Sequence, residues 1–518
     1  MSAKVEKRRT CTVIHNYEMG DSPYIEKMFS IWDKLYHRYR IFGIYYDDKN
    51  KDLYLPSGMD DYFIYRNFYG DIFEKNIPDK YEEVDKVLLK YKPRDEVQIE
   101  ALKFCLGLDQ YYKNRDKSQL SLNLATGKGK TYVAITIFAY YHIKSAMITS
   151  TIDWLYQWKE KILEYTNLTD KEVYIISGKA SIIKLFNGIH DHNNIKFYLV
   201  SHDTIKAYAN NNGWESVSEL FKKLKIGIKI FDESHLYLDN TIMIDNFTNT
   251  WKTYYLTATP MKSDTNEDKI YQRLYEKVPK ISMFDQDNDP HTEYLAIHFN
   301  SHPNPLQISD CQNVYGFDRI KYENYLVTRP NYFKLLRILM EIISNKVSPE
   351  GKCLIYIGTN YAINITYYWL SYYFRNLPVG IFTSLVPKDQ KRFQLNNKII
   401  LTTTKSAGAA LDIPGLEMTI ILNEPFKSKQ LAIQTLGRTR AKDTMYIEVI
   451  DTGFKSIKYY YKSKLPVMNK YATKCTEITL SDNDLDQKVM ELDKRDLELI
   501  KMANNNKNLK TVVKFKNQ

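Results

Sequence analysis

From about Pro93 the chain settles into a repeating rhythm. Short runs that are apolar almost throughout, SAMITS, KFYLVSH, IGIKIFDESH and TYYLTATP, alternate with longer mixed stretches of helical character. Runs without a polar face suit strands buried on both sides, and their alternation with helical segments predicts a parallel sheet with crossover helices. After about Ile281 the rhythm loosens into DQDNDPH and NSHPNP, rich in turn residues, which places a link over residues 286–330. A second series then runs through the helix NYFKLLRILMEIISN and the strands CLIYIG, KIILTTT, MTIILN and MYIEVID, closing near Asp451.

The organisation expected is a small α+β domain over residues 1–90, α/β domains over 91–285 and 331–455 on either side of the link, and a C-terminal extension over 456–518. In the leading domain IFGIYY and DLYLPSGM read as strands around the turn DDKNKD. In the extension Leu485, Val489, Leu492 and Leu499 recur at helical spacing, and the closing NNNKNLKTVVKFKNQ reads as a solvated basic tail.

Length agrees with several domains, because 518 residues exceed what one hydrophobic core organises. A hydrophobic fraction of 44% with 26% charged residues is that of an ordinary globular protein rather than a disordered chain. The excess of 73 Lys+Arg over 62 Asp+Glu, a net charge of +11, favours a polyanionic partner. Cys11, Cys105, Cys311, Cys353 and Cys475 form no CxxC pair and no zinc-ligand spacing, as befits reduced thiols of a cytosolic protein. No apolar run follows the basic MSAKVEKRRT, and the most apolar helix, from Thr131 to Ile148, carries a histidine, a lysine and several tyrosines. The chain therefore reads as neither secreted nor membrane-spanning, and as cytoplasmic.

The chemistry starts at LATGKGKT, residues 124–131. Gly127 and Gly129 let the backbone turn its N–H groups toward an anion, Lys130 supplies a point charge for β/γ-phosphates, and Thr131 offers a hydroxyl to Mg²⁺. Thr126 and Lys128 complete the loop; Leu124 stands where the common pattern has its first glycine. About one hundred residues on, IKIFDESH ends a strand in Asp232 and Glu233, so two carboxylates project from the edge of the sheet where α/β proteins bind ligands. Asp232 is suited to holding Mg²⁺ and Glu233 to orienting or deprotonating an attacking water.

Taken in order, these segments resemble the superfamily 2 helicases and translocases from about Pro93 to Asp451. PRDEVQIEAL resembles the adenine-side motif, with Gln98 at its glutamine, and SAMITSTIDWLYQWKE is similar to a DNA-contacting segment ending in Gln157 and Trp158. VSHDTI resembles a backbone-contact segment, and TATP (Thr257 to Pro260) the motif that couples nucleotide state to strand contact. CLIYIGTN resembles the opening strand of a second motor domain. TTTKSAGAALDIPG is similar to the fifth motif, with Gly408 and Asp412 in place and Ala410 where a glycine is usual. QTLGRTRAK resembles the sixth, from Gln434, which supplies arginines to the γ-phosphate; Arg438 matches, whereas the usual second position is Ala441 and Arg440 stands one residue early. The DESH tetrapeptide, the QW ending and the leading domain are similar to the viral and phage branch of UvsW-type helicases, poxvirus transcript-release helicases and, more distantly, XPB.

The resemblance implies two tandem RecA-like P-loop domains with helices on both faces of parallel sheets, and an ATP-dependent DNA helicase or translocase using Mg²⁺-ATP in the host cytoplasm or packaged in a virion. Lys130, Asp232, Glu233, Gln434, Arg438 and Arg440 are its implied catalytic set; Gln98, Thr126, Gly127, Lys128, Gly129, Lys130, Thr131, Gly408 and Asp412 its nucleotide set; Thr131 and Asp232 its metal set. Thr149, Ser150, Gln157, Thr204, Thr359 and Thr402 are the implied contacts on a DNA strand. The rivals are a duplex translocase or transcript-release factor without unwinding, an RNA helicase, and a weakly active nucleotide-gated binding protein. Blander roles compete for single residues. His235 has too few partners for a metal site, Trp154 and Trp158 fit one buried helix face, and Tyr36, Tyr39, Arg40, Tyr45 and Tyr46 suit either DNA stacking or ordinary strands.

Overall fold

The computed structural model of the chain describes residues 4–18, 20, 23–33, 37–68, 72–74, 77–124, 127–150, 152–186, 193–257, 265–283, 292–314, 316–407, 413–436, 443–487 and 494–505. Two compact units divide it, Met1–Gln286 and Asp287–Gln518.

In the first unit the apolar runs become seven parallel strands. Across the sheet they lie in the order Val173–Ile176, Phe197–Ser201, Ser145–Thr149, Ile228–Phe231, Lys252–Thr257, Gln119–Leu124 and Lys280–Met283. Alternate residues of each strand serve opposite faces. Phe197 and Leu199 join one core with helix Lys130–Tyr141, while Tyr198 and Val200 join the core on the other face. Helix Lys130–Tyr141 is buried from Tyr132 to Ala139, which explains why its sequence shows no polar stripe.

The N-terminal residues are part of this unit's core. Strands Tyr45–Asp47, Asp52–Pro56, Cys11–His15, Lys4–Lys7 and Ile72–Glu74 form a five-stranded mixed sheet, and Val5, Ile14, Phe29 and Leu55 pack in one cluster with Tyr255, Tyr271 and Leu274. Thr10 Oγ1 donates to the carbonyls of Asp245 and Thr248 at 2.7 and 2.8 Å. Tyr45 and Tyr54 close on Phe247 with ring centroids 5.5 and 5.1 Å away. Beneath this seam runs a buried ion pair, Lys229 Nζ to Asp245 Oδ1 at 2.5 Å. Tyr255 donates to the other oxygen of Asp245, and Gln119 donates to Tyr255. Tyr45 is thus engaged in packing and Arg40 pairs with Asp239, whereas Tyr39 is exposed and Tyr36 lies outside the described residues.

The second unit repeats the architecture. Its strands run Val379–Phe382, Ile399–Thr402, Lys352–Tyr356, Leu416–Ile421, Thr444–Asp451, Thr292–Phe299 and Lys474–Thr479, all parallel. Thr292–Phe299 belongs to this sheet rather than to a link, because it pairs along its whole length with Thr444–Asp451. Lys474–Thr479, within the expected extension, is its edge strand. Of the C-terminal stretch expected to be helical, Asp482–Gln487 and Lys494–Asn505 are helices, and Val489 and Leu492 lie outside the described residues. The latter helix docks through Asp496, which is fully buried, accepts from the Trp369 indole and pairs with Arg337 at 2.9 Å.

Candidate nucleotide site

Strand Gln119–Leu124 leads into the loop, of which residues 125 and 126 (Thr126 among them) lie outside the description. Gly127 and Gly129 have φ of 84° and 88°, left-handed values open to glycine at no steric cost. Gly129 is the N-cap of helix Lys130–Tyr141, so the first free backbone N–H groups of a buried twelve-residue helix face the loop. The loop is also tightly backed. A Cβ at Gly129 would stand 2.0 Å from the side-chain nitrogen of Gln98, which is itself buried. Gln98 is held there by the Arg94 N–H, which donates to its Oε1 at 2.8 Å, and Arg94 Nη2 donates to the Gly127 carbonyl at 3.2 Å. The structure therefore brings Gln98, Gly127 and Gly129 together; Lys128 and Thr131 are half-buried on the same turn.

Asp232 and Glu233 follow strand Ile228–Phe231 at its C-terminal end. The Asp232 N–H donates to Ile148 O at 2.9 Å and the Ser234 N–H to Leu256 O at 3.1 Å, which locks the segment between two neighbouring strands. Both carboxylates are buried. Glu233 takes a positive φ of 49°, a sparsely populated conformation for a side chain of its size, and its Oε1 receives Lys130 Nζ at 2.5 Å. Asp232 Oδ2 accepts the Trp158 indole N–H at 2.8 Å. Burial, and after it the charge of Glu233, push the Asp232 carboxyl up to about 6, against the opposing pull of Lys130 and the indole bond. His235 packs beside the pair: its Nδ1 lies 2.6 Å from Thr257 Oγ1 and 3.4 Å from Glu233 Oε2. Among the described residues no group of three or more His, Cys, Asp or Glu side chains could hold a metal unaided.

A divalent cation fits this donor set. Two adjacent buried carboxylates that repel one another call for positive charge, and Mg²⁺ is satisfied by one or two carboxylates with water and phosphate oxygens. Asp232, with one oxygen committed to Trp158, and the Thr131 hydroxyl are the groups suited to it.

The expected strand contacts fare differently. Thr149 and Ser150 are buried, and their hydroxyls find no partner among the described residues. Gln157 is half-buried. Thr204 accepts from Gly178 N–H and lies 2.9 Å from Ser201 Oγ, and Thr359 caps helix Asn360–Tyr373 by accepting from Ala362 N–H. Thr402 is fully buried, and its hydroxyl donates to Phe382 O at 2.7 Å, which commits it to the sheet. Gly408, Asp412, Arg438, Arg440 and the side chain of Gln434 lie outside the described residues.

Three features escape the sequence. The Trp158 indole reaches Asp232 across 74 positions, so that a tryptophan assigned to helix packing also holds a polar partner. His202 is stacked between Phe231 and Tyr237 with neither nitrogen partnered among the described residues, and burial lowers it to about 3. In the second unit two buried glutamates hold loops at strand ends: Gly358 N–H donates to Glu323 at 2.5 Å, and Thr404 N–H to Glu424 at 2.8 Å.

Residues 90–262 match the family described as type III restriction enzyme, res subunit. Over 373 residues the chain is 22% identical to transcript termination protein A18 of Yaba monkey tumor virus (strain VR587), across 66% of this chain and 69% of that one. A variant of S. cerevisiae Dbp5 solved with RNA and ADP BeF3 is 16% identical with a TM-score of 0.50, covering 78% of this chain and 93% of its own. A fragment described as an HsdR subunit of a type I restriction enzyme from Vibrio vulnificus YJ016 is 14% identical with a TM-score of 0.50, covering 77% and 70%. At such identities these structures speak for the fold, two tandem RecA-like α/β units.

Proposed function

We propose that this chain, whose residues 90–262 match the family described as type III restriction enzyme, res subunit, is a superfamily 2 helicase-type, nucleic-acid-stimulated ATP hydrolase that converts hydrolysis into movement along DNA. The observation that carries this is the Lys130–Glu233 pair beside Asp232, which joins the phosphate loop to two buried carboxylates at a strand end. The backbone N–H groups of Gly127 to Lys130 and the Lys130 ammonium bind the phosphates; Lys128 and Thr126 shape the loop, and Gln98 backs it. Thr131 and Asp232 hold Mg²⁺, which supplies charge neutralisation on the phosphates when bound. Glu233 orients the attacking water and accepts its proton. Arg438 and Arg440, with Gln434, are the proposed groups that balance charge developing on the γ-phosphate, and Gly408 and Asp412 are proposed nucleotide contacts.

Movement requires contacts that hold a strand without reading it, which suits Thr204, Thr359, Gln157 and the backbone around Thr149 and Ser150. A second reading, a duplex translocase that releases a transcript without unwinding, is favoured by the similarity of two thirds of the chain to a protein named for transcript termination. Hydrolysis measured with single-stranded, duplex and forked DNA and with RNA tests the substrate. Strand displacement measured beside triplex displacement separates the two readings: loss of triplex with no separation of duplex favours the second. Stimulation by RNA alone would reassign the chain to RNA.

A further inference from the structure

Trp158 lies on helix Ile152–Tyr165, the first helix after Thr149 and Ser150, and both its ring and the Asp232 side chain are buried. Its indole N–H, which can only donate and never ionises, meets Asp232 Oδ2 at 2.8 Å. At the carboxylate pair Lys130 Nζ sits on Glu233 Oε1, and His235 Nδ1 lies 3.4 Å from Glu233 Oε2. The Asp232 backbone is fixed by its bond to Ile148 O, so the remaining freedom of that residue is rotation of its side chain. The indole bond restrains that rotation and commits Oδ2 to Trp158.

We propose that Trp158 is a positioning residue that orients the Asp232 carboxylate for its divalent cation, and through helix Ile152–Tyr165 ties Gln157 to the metal. The proposal rests on the assignment of Asp232 to Mg²⁺. Partners that fix a metal-holding group from behind matter for affinity, and their loss weakens metal binding about 10- to 100-fold. Helix packing alone would predict no such selectivity, because the ring of Trp158 packs with Leu155 and Ile162 whether or not its nitrogen donates.

The test replaces the N–H while keeping the ring. Trp158→Phe is the simple variant, and benzothienylalanine at 158, in which sulfur stands for the indole N–H at almost equal volume, is the one that preserves packing. Binding of Mn²⁺ in the presence of ADP is followed by electron paramagnetic resonance, with thermal melting and metal-free ADP binding measured alongside. The expected result is Mn²⁺ affinity weakened about tenfold or more in the benzothienylalanine protein, with melting and metal-free ADP binding as in the wild type. Unchanged Mn²⁺ affinity in that protein overturns the proposal and leaves the proposed function standing. Wild-type protein that takes up ADP but shows no nucleotide-dependent Mn²⁺ binding, or whose binding survives Asp232→Ala, removes the assignment of Asp232 and the proposal with it.

Discussion

Lys130 Nζ and Glu233 Oε1 stand 2.5 Å apart, with the lysine side chain 13% and the glutamate side chain 4% exposed. The ammonium expected to serve a phosphate is thus also the counterion of the carboxylate expected to serve the water. On the proposed function a phosphate entering the loop would compete with Glu233 for Lys130, and its binding would release Glu233 toward the water. Glu233→Gln should therefore bind ATP more tightly than the wild type while lowering the hydrolysis rate by about 10²-fold or more, the contribution of a general base. Equilibrium binding of a fluorescent ATP analogue beside steady-state hydrolysis checks both signs at once.

Gly129→Ala should abolish nucleotide binding for two separable reasons. The Cβ would meet the Gln98 side-chain nitrogen at 2.0 Å, and φ of 88° strains any side chain. Adding Gln98→Ala relieves the first and leaves the second, so the double variant should regain part of the lost thermal stability but little of the ATP binding. Differential scanning fluorimetry with and without ATP measures the split.

The Lys229–Asp245 pair is fully enclosed, and burial lowers the lysine and raises the aspartate. Lys229→Met strands the carboxylate, which should cost about 3–5 kcal/mol of stability. Because Thr10 bonds to the backbone of residues 245 and 248, the loss should also loosen the N-terminal sheet. Urea unfolding gives the energy, and limited proteolysis ahead of residue 90 the looseness.

Burial pushes the Glu323 carboxyl up to about 8 from an ordinary 4.5, against its bonds at the start of helix Asn360–Tyr373 and helped by nearby Glu424. Between those two values the folded chain keeps a proton that the unfolded chain releases, so stability falls as pH rises from about 4.5 to about 8. The slope from this one group is at most about 1.4 kcal/mol per pH unit. Glu323→Gln should remove that share, leaving the same-signed shares of Glu424 and Asp451, whose carboxyls burial also raises. Melting of both proteins at pH 5.5 and pH 8.5 should show the smaller drop in the variant.

What the sequence made legible was local. Strands buried on both faces announce themselves as apolar runs, and the Gly127–Thr131 loop and the Asp232–Glu233 pair announce themselves by residue type at a strand end. What stayed hidden depends on residues far apart in the chain. Thr292–Phe299 sits between turn-rich segments and looks like linker until its partner strand, some 150 residues on, is brought beside it. IFGIYY and DLYLPSGM mark strands of a leading module, but not that its Val5 and Leu55 share a core with Leu274. Thr402 ends a strand as a phosphate contact would, yet its hydroxyl had a backbone carbonyl closer to hand. Trp158 carried the signal of a buried ring, which it is, and nothing in the spacing could show that its nitrogen met Asp232.

On the proposed function the Lys130 loop and the Asp232–Glu233 edge form one ATP-hydrolysing site answering to nucleic acid. Steady-state hydrolysis by the wild type and by Lys130→Ala, each with and without DNA, tests it most directly. The expected result is hydrolysis that DNA stimulates severalfold and that Lys130→Ala abolishes under both conditions. Hydrolysis that persists in Lys130→Ala, or that no nucleic acid changes, would contradict it.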